Sequence, residues 1–268
     1  MKKYLTTFSL YDGERKFLYE NYAKPRFQRY AEIHGLEFIE FNEKNFSIQT
    51  LHPEFDSREN MHFNRWLQFK KMISDGMIKD GDIIYNFDAD IFIKEMDQFF
   101  IPEKGFTYAI DSGNTHCFGF FALKINDFSK KLIDLIVNRE RWLKLKDYIF
   151  FNEHYNQYCK WHIADQQMYY TCAGIKPHSW QSFYELPHCG LHSYVTEHTV
   201  FSLDELYKNV NILPTEWNVT QLLEETGSNG KPNTYDIVKS SIDKTIFRHF
   251  AGGQKWRFEE YSKLYKII

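Results

Sequence analysis

Two aspartates, Asp88 and Asp90, stand at the end of the apolar run Ile83-Ile84-Tyr85-Asn86-Phe87. Such a run reads as a strand covered on both faces. Side chains two apart on a strand point the same way, so the spacing predicts two carboxylates aimed at one point beyond the strand. In open α/β sheets ligands bind at that end of the strands. Two hard oxygen donors can hold a divalent cation and leave positions on it for diphosphate oxygens. The spacing by itself does not single the pair out, because Asp80-Gly81-Asp82 has it too and reads as a surface turn. The strand leading into Asp88 is what separates the two pairs.

Other residues have chemistry to offer. Ala164-Asp165-Gln166-Gln167 combines a carboxylate, which accepts from sugar hydroxyls, with an amide that both donates and accepts; it equally reads as a helix start with an acid at the positive end. His249-Phe250-Ala251-Gly252-Gly253-Gln254-Lys255 places an imidazole ahead of glycines that admit close backbone approach and a lysine that can neutralise phosphate. Lys70 and Lys71 read as a solvated helix face or as cations for a ligand.

The elements that must position these groups alternate. Tyr4–Leu10 is expected as a strand, Glu14–His34 as a helix stopped by Gly35, and Leu36–Phe41 as a second strand. A loop is expected over Asn42–Asn60, a helix over Phe63–Met77 and the third strand over Ile83–Phe87. That order implies an α/β fold with a mixed, mostly parallel sheet flanked by helices, in one globular domain. Tyr108–Ile110 and Phe118–Ile125 are further strands, and Phe128–Leu145 is a helix. The aromatic-rich stretch from Lys146 to His162 is expected as a loop or small helical insertion. That one domain would divide at about residue 125 into two halves, the second running to residue 268 and ending in the segment that bears His249 and Lys255.

The composition agrees with this and excludes other classes. The 268 residues are 43% hydrophobic and 26% charged, enough for a full core. The aromatic share of 18% fits sugar stacking or an aromatic core. A net charge of −3 provides no basic field for a nucleic-acid backbone. Cys117, Cys159, Cys172 and Cys189 form no CxxC pair and read as reduced, mostly buried thiols. No signal peptide or membrane span is recognisable, so a cytoplasmic protein is expected, one that visits a membrane surface only peripherally.

Taken in order, these segments resemble the retaining, metal-dependent glycosyltransferases of the glycogenin and lipopolysaccharide-galactosyltransferase type. They are more loosely similar to fungal and plant Golgi galactosyl- and xylosyltransferases. The resemblance is carried by Ile78-Lys79-Asp80-Gly81-Asp82 before the strand, Asp88-Ala89-Asp90, Ala164-Asp165-Gln166, Leu213-Pro214-Thr215-Glu216-Trp217-Asn218 and the His249 to Lys255 segment. It implies a GT-A-like, Rossmann-type fold and a sugar transferred from a nucleotide donor, UDP-linked, to a glycan, lipid-linked or protein acceptor. It also implies Mn²⁺ or Mg²⁺ held by Asp88, Asp90 and His249, with imidazole favouring Mn²⁺. Donor contacts would come from Thr7, Ser9, Lys71, Asp88, Ala89, Gly252 and Lys255. Asp165 would bind the donor sugar, and Gln166 would lie near the face the acceptor attacks. The chain departs from the pattern in two places. Trp256-Arg257 follows the lysine where the family has Pro-Trp, and Cys117-Phe118-Gly119-Phe120-Phe121 stands for the family's Asn-x-Gly-x-Phe, so a donor-sugar contact is lost unless Asn114 replaces it.

Three other classes fit less well. A haloacid-dehalogenase-like phosphatase also carries Asp-x-Asp after an apolar strand, but near the N-terminus and with Thr or Val where Phe92 stands. A nucleotidylyltransferase would open on a Gly-rich, basic segment, which Tyr4–Glu14 lacks. A non-catalytic sugar-binding protein would keep the aromatics but has no need of Asp88, Asp90, His249 and Lys255 together.

Overall fold

A computed structural model of the protein describes residues 1–51, 55, 57–110, 116–151, 164–175, 191–220, 244–250 and 257–264. In chain order it forms β1 (Lys3–Phe8), α1 (Gly13–Leu18), α2 (Lys24–His34), β2 (Glu37–Phe41), α3 (Ser57–Ser74), β3 (Ile83–Asp88), β4 (Ile91–Ile93), β5 (Phe106–Ile110), β6 (His116–Lys124), α4 (Asp127–Ile136), α5 (Arg139–Phe151), α6 (Asp165–Ala173), α7 (Leu191–His198), α8 (Leu203–Asn209), β7 (Val210–Leu213), β8 (Phe247–His249) and α9 (Phe258–Leu264). The chain divides into two compact units, neither continuous in sequence. One holds Met1–Phe46, Gly81–Lys124 and Asn211–Ile268; the other holds Ser47–Asp80 and Ile125–Val210.

The first unit is a mixed α/β layer. Its six-stranded sheet runs β2-β1-β3-β6-β5-β7. β1 lies parallel to β2 and to β3, as the strand-helix-strand order implied. β6 then runs antiparallel to both β3 and β5. The helical segment before β2 is not uniform. Pro25 has no N–H to give, and the chain passes from α1 through a π-helical turn, Tyr19–Ala23, into α2. Gly35 ends α2 at φ +62°, a left-handed position that a side chain resists. Phe27 and Tyr30 on α2 pack edge-on or tilted against Phe87 of β3, and Phe87 meets Phe120 and Phe247 at 5.0 and 5.1 Å between centroids. Much of the aromatic content is therefore core, with edge-to-face pairs adding ~1 kcal/mol each beyond their buried area. The expected surface turn at Asp80–Asp82 proves half internal: Asp82 is buried and accepts from the backbone N–H of Lys2 at 2.6 Å.

The second unit contains α3 to α8. α3 starts at Ser57, inside the stretch expected as loop, and Asn60 bonds back to Leu51 and Phe55. The helix expected over Phe128–Leu145 is two. α4 ends at Ile136, and Asn138 receives the N–H of Arg141 at the start of α5. The freed carbonyl of Ile136 accepts from Trp142 Nε1 at 2.6 Å, which makes the break stable. α5 continues to Phe151, and the remainder of the aromatic-rich stretch lies outside the described residues.

Candidate functional site

Asp88 is the last residue of β3 and pairs with Phe8, the last of β1, so its carboxylate stands at the carboxyl edge of the parallel strands. Ala89 and Asp90 form a turn, and β4 then leaves the main sheet to pair with β8. This antiparallel pair sets Ile91 opposite His249, and the N–H of Phe250 donates to the Asp90 carbonyl at 3.0 Å. A short strand from the far end of the sequence thereby brings an imidazole to the strand-end carboxylates. One ligand atom from each of Asp88, Asp90 and His249 falls within 4.8 Å of the others.

Two buried arginines hold this arrangement through backbone carbonyls. Arg26 on α2 donates from Nε to the Ile93 carbonyl at 2.6 Å and stacks over Phe92, 4.6 Å from its centroid. Burial lowers its pKa to about 10, with Glu95 partly opposing that shift. Arg248 donates to the carbonyls of Val219 and Thr220 at 3.0 and 2.9 Å and lies over Phe250. Val219 and His249 bond in turn through their backbones, at 2.9 Å.

The ring of His249 is closely fixed. It lies on Gly119, where an added Cβ would sit 2.8 Å from Nε2 and nearer still to Cε1 and Nδ1. Gly119 belongs to the stretch of β6 where its register against β5 slips, an irregularity that re-aims side chains. Nδ1 faces Asn218 Oδ1 at 3.0 Å and Cys117 Sγ at 3.7 Å. Nε2 faces Asp90 Oδ1 at 3.2 Å. Burial opposes charge on this ring, yet the Asp90 carboxylate, helped by Cys117, outweighs burial and raises its pKa well above the ordinary value. Asp90 Oδ1 is itself buried and has no directed hydrogen-bond donor among the described residues. A buried carboxylate oxygen left without a donor is expensive. Two carboxylates, one of them so placed, and one imidazole suit Mn²⁺ or Mg²⁺.

Ala89 is buried in the turn. Thr7 is fully buried in β1, its hydroxyl without a hydrogen-bond partner among the described residues. Ser9 donates to Glu40 at 2.7 Å, and Glu40 also pairs with Lys24 at 2.7 Å. Although burial opposes ionisation, these bonds hold the Glu40 carboxyl below its usual range. Beside them is a cavity of about 100 Å³ lined by Ser9, Tyr11, Tyr19, Lys24, Glu40 and Asn42, among others. Gly252, Lys255 and Asn114 lie outside the described residues.

The remaining predicted residues belong to the second unit. Lys71 is exposed on the last turn of α3, and its neighbour Lys70 pairs with Asp134 at 2.7 Å. Asp165 begins α6 and is almost wholly buried. Its Oδ2 accepts from Arg65 Nε (3.2 Å), Arg65 Nη2 (2.5 Å) and Trp66 Nε1 (2.5 Å). Its Oδ1 accepts from the Gln166 N–H at 3.0 Å and lies 3.3 Å from His62 Nδ1. Burial pushes this carboxyl toward neutrality, but Arg65 and then His62 hold it far below the usual carboxylate range. Gln166 is half-buried, and Gln167 turns back to accept the Ala164 N–H at 2.9 Å.

Sequence reasoning gave no role to Gly119 or Arg65 and named Asn218 only as the end of the Leu213–Asn218 segment. Asn218 closes a segment that carries the family resemblance, and Gly119 is the glycine kept where the chain departs from the family's Asn-x-Gly-x-Phe; that was the available signal.

No protein-family model and no curated protein sequence matches this chain. Among solved structures, the chain overlays along its whole length on a glycosyltransferase involved in the glycosylation of the major capsid of PBCV-1, with TM-score 0.47, 10% identity and 100% of that chain covered. It also overlays on the glycosyltransferase GlyE of Streptococcus pneumoniae TIGR4, with TM-score 0.44 and 13% identity, and there spans 61% of the longer chain. At this distance the overlays are loose likenesses of chain path. Among the described residues no helix is long and apolar enough to cross a membrane.

Proposed function

We propose that the protein is a divalent-cation-dependent glycosyltransferase that moves a hexosyl or pentosyl group from a UDP-linked donor to an acceptor, with retention of anomeric configuration. The observation that carries the proposal is the grouping of Asp88, Asp90 and His249 within 4.8 Å at the carboxyl edge of parallel strands. When bound there, Mn²⁺ or Mg²⁺ would offset the negative charge that builds on a departing diphosphate.

The chain's own residues supply the rest. Asp88 and Asp90 give hard oxygens, and His249 gives the softer nitrogen that favours Mn²⁺. The cavity beside Ser9, within the same unit, is the proposed nucleoside pocket. By resemblance, Gly252 would let the backbone approach the diphosphate closely and Lys255 would neutralise its phosphates. Asp165 has its lone pairs engaged by Arg65, Trp66, His62 and the Gln166 N–H, so it is poorly suited to attack a sugar as a nucleophile. That favours same-face substitution guided by the leaving phosphate over a covalent glycosyl-enzyme, and trapping a glycosyl adduct on Asp165 would overturn this part.

Calorimetric binding of UDP and of GDP, each with Mn²⁺ and with EDTA, tests the whole. UDP binding that requires Mn²⁺ is expected, followed by slow hydrolysis of a UDP-sugar. If neither nucleotide binds in the presence of Mn²⁺, the proposal fails.

A further inference from the structure

We infer that Asn218 is the residue that makes His249 a metal ligand, by holding the proton on the ring nitrogen that faces away from the carboxylates. The inference deepens the cation site proposed above and rests on it. A neutral imidazole carries one proton, and only the bare nitrogen can ligate. Here two oxygen acceptors compete for that proton from opposite sides of the ring, with Cys117 Sγ, a weaker partner, 3.7 Å from Nδ1 on the Asn218 side. Asp90 Oδ1, 3.2 Å from Nε2, would draw it toward the cation position. Asn218 Oδ1, 3.0 Å from Nδ1, draws it the other way. Were Asp90 to win, the nitrogen facing the carboxylates would become a donor and the ligand would be lost.

Three features give Asn218 its hold. Its side chain is fully buried, so no water competes for Oδ1. Its amide orientation is set from behind, because Nδ2 donates to the Cys117 carbonyl at 3.3 Å and Oδ1 is thereby the atom turned to the ring. The ring itself cannot easily swing, since it rests on the bare Cα of Gly119. The backbone around Asn218 is anchored as well: its N–H donates to the Thr215 carbonyl at 2.8 Å, and Val219 pairs with the strand that carries His249. Partners behind metal-bound histidines generally fix the tautomer and orientation of the ring. Asn218 is a positioning residue in this sense, because it acts on the cation only through His249.

The test is the Mn²⁺ dissociation constant, read by electron paramagnetic resonance of free Mn²⁺ on the full chain without donor, for wild type, Asn218→Leu and Asn218→Asp. Melting in EDTA checks that each variant folds. Asn218→Leu removes the acceptor at similar size and should weaken Mn²⁺ by roughly 10- to 100-fold. Asn218→Asp keeps an acceptor at the same reach and should bind within a few-fold of wild type. If Asn218→Leu does not fold, Asn218→Ser, too short to reach Nδ1, carries the same expectation. Equal Mn²⁺ binding by wild type and by the folded Leu or Ser variant would overturn the role of Asn218 while leaving the metal site intact. Equal loss in the Asp and Leu variants would overturn it too, by showing that shape rather than the acceptor matters. A wild type that binds no Mn²⁺ would remove the metal site itself, and this role with it.

Discussion

The two units each bury an aspartate that the sequence marked for function, and the two carboxylates are treated in opposite ways. In the second unit Asp165 takes hydrogen bonds from both Arg65 donors, from Trp66 and from the Gln166 N–H, with His62 alongside. In the first unit Asp90 keeps a buried oxygen to which no described residue directs a donor, beside a second carboxylate and an imidazole. The same residue type is therefore an anchor enclosed by donors in one place and, in the other, a carboxylate answered only by an imidazole 3.2 Å away, with a second carboxylate nearby. What distinguishes them most is how many donors the protein itself directs at the charge.

Exchanging each carboxylate for its amide is the sharpest way to break this contrast. Asp90→Asn should lower Mn²⁺ affinity and any UDP-sugar turnover by at least ~100-fold, since losing one partner behind a metal-bound histidine already costs up to about that much. Its melting temperature in EDTA should change little, because Asn still fills the space. Asp165→Asn should do the reverse. It removes the carboxylate charge that Arg65, only 3% exposed, is bonded to, and breaking a buried pair in this way costs ~3–5 kcal/mol, or roughly 10 °C of melting temperature in a chain of this size. Circular-dichroism melting measures the second effect, and Mn²⁺ titration the first. A stable Asp165→Asn that has lost turnover would show instead that Asp165 works on the substrate, as the family resemblance implies, and the contrast would collapse.

How far the sequence revealed each region follows from how local the determinants are. β3 and the aspartate at its end were readable because an apolar run is a property of neighbouring residues; Asp90 was expected on the same strand but lies in the turn that follows it. The parallel set β2-β1-β3 was readable for the same reason. The break at Asn138 was not, because the apolar spacing runs on through it and only the capping of Arg141 ends the helix. Nor was the network around Asp165, although His62 and Arg65, three apart on α3, share a helix face; their partner lies a hundred residues further on. The cradle under His249 is the extreme case: a glycine on β6 whose missing side chain is filled by a ring from β8. Gly119→Ala tests it. The methyl would push the ring off its position, at a cost of ~1–3 kcal/mol for overpacking, and should weaken Mn²⁺ by roughly 10-fold through the displaced ligand. Unchanged Mn²⁺ affinity in a folded Gly119→Ala would mean that the ring position does not matter to the site.

The smallest expected effects are those of pH, and they separate the two regions by sign. Asp165 has a folded pKa below its unfolded value of 3.8, so its contribution to stability is complete above about pH 4. It declines as pH falls below that and is gone once the folded pKa is passed. His249 has a folded pKa above its unfolded value of 6.5, so in EDTA its pairing with Asp90 contributes fully below about pH 6.5. That contribution declines as pH rises and is gone above the folded pKa. Mn²⁺ reverses the second trend, because ligation needs Nε2 bare and its proton must leave first; affinity should therefore climb with pH over the range in which the EDTA-treated protein loses its small increment. Melting curves from pH 3 to 9, with EDTA and with saturating Mn²⁺, read both effects at once. The two sets of curves should diverge on the alkaline side and run together below pH 5, where the imidazolium keeps the cation out. Curves offset by a constant amount at every pH would show that the cation does not compete with the proton on His249, and would move the metal away from this ring.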